Sequence, residues 1–133
     1  MSTPHSPTDR ETIFQRGLEA YRAGQHYEAH EFWEELWQDE EDDERRRFLQ
    51  ALIQIASAMH KILHDVGPRG SLRLLDRAIE WLDPLGDTYD GMRVAALRAG
   101  VRRCRDEIAR LLEAGRHDLD RAFVPPIERA GGS

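Results

Sequence analysis

A histidine and a glutamate at helical spacing are the residues of this chain best suited to chemistry. His30 and Glu34 lie in the segment 30–37 (HEFWEELW), four positions apart, so both side chains project from one face of an α-helix. An imidazole and a carboxylate at this spacing can hydrogen-bond each other or bind one divalent metal ion together. The spacing therefore predicts either a metal-ligand pair or a structural pair.

A third ligand would have to come from another histidine. His60 is the strongest candidate, because it falls in the apolar arc of the next predicted helix, and a buried imidazole needs a partner for its ring nitrogens. His26 and His64 are alternatives. If one coordination position stayed open to water, the metal-bound water could serve in a hydrolytic reaction. The competing interpretations are a hydrogen bond between His60 and Glu34 or His30, which would fix how the two helices cross, and direct contact of the pair with an organic ligand or a partner.

Three further side chains are candidates for lining a pocket beside this pair, namely Trp37, Gln50 and Gln54. Trp37 shares an apolar arc with Trp33, which favours a role in the core. The sequence has no zinc-protease pattern, phosphate loop, dinucleotide fingerprint or nucleophile elbow. Whether the chain is an enzyme is therefore left undecided by the sequence.

The elements that must position these residues are all helices. Apolar periodicity and terminating Gly and Pro residues predict helices at about 9–23, 25–38, 45–64, 71–82 and 90–114. The third helix is apolar around most of its circumference, so it should be central. With no strand pattern, we predict an all-α compact bundle of about five helices. Residues 1–8 are expected to be a flexible N-terminus, 9–116 the helical domain and 117–133 an extended C-terminal tail.

Smaller features of the helices are also predicted. Thr8 or Asp9 should cap the first helix and Ser71 the fourth. In the fifth helix, apolar residues that include Cys104 recur at alternating intervals of four and three residues, which predicts a buried seam. A single cysteine in such a seam is expected to be an inert thiol, and it excludes an internal disulfide.

Charge and hydropathy limit the classes of partner. The net charge of -6 argues against nucleic-acid binding. The segment 28–44 has ten acids and no Lys or Arg, whereas 93–110 has six Arg. These are either solvated faces or surfaces for a protein partner or a second copy of the chain. The sequence has neither an apolar run of membrane length nor a secretory signal, so we expect a cytoplasmic protein with no membrane partner.

The order of motifs is similar to that of a known family. The stretch 24–37 (GQHYEAHEFWEELW), followed by 48–54 (FLQALIQ), resembles the bacterial and archaeal family known as domain of unknown function 309. That family is marked by His, three residues, Glu, two residues, then Trp or Tyr. The marker corresponds here to His30, Glu34 and Trp37.

The resemblance continues through His60 and Gly70 and, more weakly, through 89–91 toward the C-terminal end. It implies a compact helical fold and a suggested metal-binding role for the motif, but no established activity. We therefore predict a small helical domain that binds a divalent metal through His30 and Glu34, with His60 as third ligand. The alternative is a helical protein-interaction or homo-oligomerisation module in which the His/Glu pair is purely structural.

Overall fold

Five α-helices account for most of the fold. The computed structural model describes residues 5–64 and 67–131, so residues 1–4 of the predicted N-terminal segment and 132–133 of the predicted tail lie outside the described residues. Each helix packs against the next along the chain. The predicted all-α bundle is confirmed, with α1 at Pro7–Arg22, α2 at His26–Gln38, α3 at Asp43–Leu63, α4 at Pro68–Leu82 and α5 at Val94–Glu113.

Helix α3 occupies the centre, as its sequence predicts. It packs against α2 on one side and α4 on the other. Burial of its large apolar side chains removes them from water, which contributes roughly 1.5–3 kcal/mol each. The buried residues of α3 are Phe48, Leu49, Ala51, Leu52, Ile53, Ile55, Ala56, Ala58, Met59 and Ile62.

Helix α1 begins at Pro7, about two residues earlier than predicted. The residue that caps the helix is Ser6 rather than Thr8 or Asp9. Its hydroxyl accepts a hydrogen bond of 3.1 Å from the backbone N–H of Asp9. Pro7 occupies the first turn, where its missing N–H has no partner to lose. The Pro therefore belongs to the helix rather than to the segment before it.

Helix α4 also begins earlier than predicted, and Ser71 does not cap it. The helix starts at Pro68, directly after Gly67. Ser71 is fully buried inside the helix, and its hydroxyl donates to the Ala58 carbonyl of α3 at 3.0 Å. Ser71, which the sequence predicted to be a helix cap, thus connects α4 to α3 instead.

A short hairpin precedes α5, so the expectation of no strand was wrong. Strands β1 (Thr88–Tyr89) and β2 (Met92–Arg93) pair antiparallel. Asp90 and Gly91 both have positive φ, 49° and 75°, the conformation that Asp-Gly favours in two-residue hairpin turns. The helix predicted from residue 90 consequently starts only after the hairpin.

The segment 117–131 packs back onto the bundle. It contains a short 3₁₀ helix, and its side chains Leu119 and Ile127 are buried. The hydroxyl of Tyr21 in α1 donates a buried hydrogen bond of 2.6 Å to the Pro125 carbonyl. This C-terminal segment therefore covers part of α1. Within the described part of the chain, every helix is too short or too polar to serve as a membrane span.

Candidate functional site

The outward-facing side of α2 holds the predicted pair. Ala29 and Trp33 are fully buried and set the rotation of the helix. His30 and Glu34 consequently lie at its outer side, with His30 Nε2 3.0 Å from Glu34 Oε2 and side-chain exposures of 24% and 42%. We call this region the α2 outer surface; it forms a shallow pocket of about 360 Å³ lined by Tyr27, His30, Glu31, Glu34, Glu35 and Gln38.

The two ring nitrogens of His30 are in different environments. Nε2 faces Glu34, whereas Nδ1 is buried and has no hydrogen-bond partner in the described residues. A metal bound at Nε2 requires the proton to sit on Nδ1, and metal-binding histidines usually donate that proton to an acceptor. The pair thus offers two suitable metal-binding atoms. Because His30 Nδ1 has no hydrogen-bond acceptor among the described residues, the affinity of the pair for a metal ion is lowered.

His60 is not buried as the sequence predicted; it is partly exposed near the end of α3. Its ring centroid lies 5.4 Å from that of Tyr27 and 4.4 Å from that of His64. Partial desolvation, and then the neighbouring His64, lower the pKa of His60. His60 and His30 line a common surface pocket of about 290 Å³. The structure therefore brings these two residues to one pocket without joining them directly.

The alternative ligands His26 and His64 line neither of the two pockets described above. His26 is only 4% exposed, and its ring meets that of Tyr21 edge-on at 5.1 Å. Burial first, and then the charge of Arg121, lower the pKa of His26 to about 4, with smaller contributions from His60 and His64. His64 Nδ1 lies 2.9 Å from the His60 carbonyl, which can only accept, so this nitrogen carries the proton.

In the part of the chain that the structure describes, no three side chains are arranged as a complete metal site. Across residues 5–64 and 67–131, the structure contains no group of three or more His, Cys, Asp or Glu that could hold a metal ion. Zinc sites in proteins need at least three protein ligands. Among the described residues, the His30–Glu34 pair is therefore at most part of a site.

The predicted pocket-lining residues are placed elsewhere. Trp37 is partly buried, and the guanidinium carbon of Arg46 lies 4.3 Å from its ring centroid. Gln50 and Gln54 are partly buried on α3, and the side-chain oxygen of Gln54 is buried without a hydrogen-bond partner in the part of the chain described. Neither pocket that contains His30 includes these three residues.

Two neighbours of the pair were missed by sequence reasoning. Tyr27 is 49% exposed, and its ring centroid lies 5.8 Å from that of His30. Its position three residues before His30 on a helix was an available signal. His5 Nε2 lies 3.1 Å from Glu35 Oε1, a contact across 30 residues that no local pattern indicates.

The charges of α2 and α5 are compensated differently. Helix α2 carries Glu28, Glu31, Glu34 and Glu35 but no Lys or Arg. On α5, by contrast, Arg105 pairs with Asp76 at 2.8 Å and Arg102 with Asp83 at 3.3 Å. Arg102 and Arg105 of the predicted basic surface thus form ion pairs within the chain, whereas the α2 outer surface remains acidic.

A third pocket, of about 340 Å³, lies where α1, α2, α3 and the hairpin meet. Its walls include the apolar rings of Phe14 and Phe48 and several charged groups. Arg10 pairs with Glu40 at 2.6 Å, and the Arg45 guanidinium lies 3.6 Å from the same carboxylate oxygen. These ion pairs hold the connection between α2 and α3 together, which is a structural role.

The comparison with known families bears on the first four helices. The family model described as Domain of unknown function (DUF309) matches residues 14–74. Neither the curated proteins nor the solved structures include a significant match to the chain. The matched part runs from α1 through α2 and α3 into α4 and contains His30, Glu34 and His60. The predicted resemblance to this family is confirmed over residues 14–74, the helical segment that carries the His30–Glu34 pair on its surface.

Proposed function

We propose that the α2 outer surface is a metal-dependent binding surface, at which His30 and Glu34 supply two donors to a divalent transition-metal ion such as Zn²⁺. The observation that carries this proposal is the 3.0 Å contact between His30 Nε2 and Glu34 Oε2 on a solvent-accessible helix face. Imidazole and carboxylate are both ligands of zinc, and i, i+4 spacing places them side by side.

His60 remains the predicted third donor within the chain. It lines the same pocket as His30, and the ring of Tyr27 packs near both. Tyr27 therefore has to move for His60 and His30 to share one ion. Coordination positions that the chain does not fill are open to water or to a donor from another molecule. Because two donors alone imply no reaction, the proposal is a binding function.

Zinc binding can be measured by isothermal titration calorimetry on the untagged chain. We expect His30→Ala and Glu34→Gln to weaken binding by more than about tenfold, which corresponds to about 1.4 kcal/mol. Glu31→Gln is the matched control, because it removes the same charge from the same pocket without touching the pair. The proposal fails if the natural chain binds no zinc, or if Glu31→Gln weakens binding as much as Glu34→Gln.

The second candidate is an interaction module in which the His30–Glu34 pair is structural. The observation that favours it is the exposure of Tyr27 beside an acidic surface, since a large exposed side chain next to charge is common at protein interfaces. In that case Glu34→Gln lowers the free energy of unfolding by up to about 1 kcal/mol, and zinc addition leaves it unchanged. Urea unfolding with and without Zn²⁺ distinguishes the two candidates.

A further inference from the structure

The His30–Glu34 pair provides half of the donors that a tetrahedral zinc ion takes. Among the side chains that the structure describes, no third metal-binding residue joins the two, and Tyr27 packs near both His30 and His60. The residues that the structure describes therefore leave about half of the coordination positions unfilled. The missing donors have to come from solvent or from another molecule.

A second copy of the chain has the donors that are missing. In a two-fold symmetric dimer, each surface meets the same surface of its partner, so a pair close to the symmetry axis faces its own copy. His30 and Glu34 are partly exposed on the outer side of a helix, where another helix can approach them. Two such pairs together give two imidazoles and two carboxylates, which is a full tetrahedral set.

We infer that the metal ion bridges two copies of this chain, held by His30 and Glu34 of each, with one ion for every two chains. This inference rests on the proposed function and adds the partner to it. Tyr27, 49% exposed next to His30, supplies apolar area that becomes buried between the two copies. The partner copy thus completes a site that one chain leaves unfinished.

The charge of the α2 outer surface makes this association depend on the metal. Glu31, Glu34 and Glu35 line the pocket around His30, and α2 has no Lys or Arg to offset them. Two such surfaces repel each other when they meet without a cation. A divalent ion between them both removes part of the repulsion and supplies the bonds. The chain is therefore monomeric without metal and dimeric with it.

Sedimentation velocity on the full, untagged chain tests the inference with Zn²⁺ as the probe. We expect the mass to double and to reach a plateau at about half an equivalent of Zn²⁺, and to return to that of the monomer with EDTA. Mg²⁺, which prefers oxygen ligands and keeps its waters, should leave the monomer unchanged. His30→Ala and Glu34→Gln should stay monomeric at the same zinc concentration. Glu80→Gln, which removes an exposed carboxylate of α4 outside both pockets that contain His30, should dimerise as the natural chain does.

The outcomes separate this inference from the function on which it rests. A monomer that binds one Zn²⁺ per chain, and loses it in His60→Ala, supports metal binding but overturns the dimer. Growth of the mass beyond a dimer without a plateau also overturns it, because two-fold association closes on itself. A chain that binds no Zn²⁺ in the calorimeter overturns both. Far-UV circular dichroism of His30→Ala and Glu34→Gln checks that each variant is folded.

Discussion

Gly17 on α1 lies directly against the indole of Trp33 on α2, and the contact depends on Gly17 having no side chain. A β-carbon at residue 17 would lie 2.7 Å from Cδ1 and Cε2 of the indole. Trp33 is fully buried, and its Nε1 donates to the Phe14 carbonyl at 3.4 Å. This contact helps to fix the rotation of α2 and so keeps His30 at the outer side.

Gly17→Ala should therefore lower the free energy of unfolding by about 1–3 kcal/mol, the usual range for overpacking a core. Elsewhere in a helix, replacement of Gly by Ala normally stabilises the protein. Gly70→Ala is the control, since a β-carbon there would lie 3.7 Å from Lys61 Cδ, an ordinary contact. Urea unfolding monitored by circular dichroism measures both. Equal stability of the natural chain and Gly17→Ala would show that the indole can shift freely.

The buried imidazole of His26 predicts a loss of stability at mildly acidic pH. Its pKa is lowered from 6.5 to about 4 by burial and by Arg121. Between these two values the unfolded chain binds a proton that the folded chain does not, so stability falls as the pH drops from about 6.5 to 4. The contribution of His26 amounts to about 3 kcal/mol in full.

Replacement of His26 by Phe should remove this part of the pH dependence, because an aromatic ring can still meet Tyr21 edge-on but cannot be protonated. Urea unfolding at pH 7.5 and pH 5 gives the comparison. Between these two pH values, the natural chain should lose more stability than His26→Phe does. The same loss in both proteins would assign the acid sensitivity to other groups.

The hydrogen bond between Tyr21 and Pro125 should contribute measurably to stability. It is buried and 2.6 Å long, and burial raises the pKa of the Tyr21 hydroxyl, so the group remains a donor. Tyr21→Phe leaves the carbonyl without this partner, and we expect a loss of about 1–2 kcal/mol. It should also speed protease cleavage within 117–131. Tyr89→Phe is the control, since that hydroxyl makes an exposed contact of 3.4 Å to Asp42; equal effects of the two substitutions would contradict the prediction.

Cys104 should be unreactive in the folded protein. The thiol is fully buried, and burial raises the pKa of Cys104 to about 12, so almost no thiolate is present at neutral pH. Ellman's reagent should therefore react with the folded chain only as fast as the chain opens, and immediately in 6 M guanidinium. Rapid reaction under native conditions would mean that α5 detaches easily from the bundle.

Periodicity predicted the helices and the buried seam of α5 correctly, because it records which side of an element faces the core. The seam residues Leu97, Val101 and Cys104 are all buried. The hairpin was missed although Asp90–Gly91 signals it, because its strands have two residues each and show no alternation. Apolar periodicity therefore fails to predict elements that are too short to show a repeat.

The burial of His60 was misjudged for a different reason. A helical wheel gives the direction in which each side chain points, but it contains no information on where the neighbouring helix begins or ends. Helix α2 begins at His26, so Tyr27, whose ring lies 5.4 Å from that of His60, is in the first turn and is half exposed. The contact of His5 with Glu35 could not be predicted from local sequence patterns either, because it joins segments far apart in the chain.

The C-terminal segment also determines the order in which the fold can be completed. The bond from Tyr21 to Pro125 spans 104 residues, and the ion pair of Arg129 with Glu11, at 2.8 Å, spans 118. Contacts this distant in sequence form slowly, because a long loop has to close before they form. On the ribosome, α1 therefore emerges well before the residues that cover it. One side of α1 stays open to chaperones, or to premature association, until residues 117–131 have been synthesised.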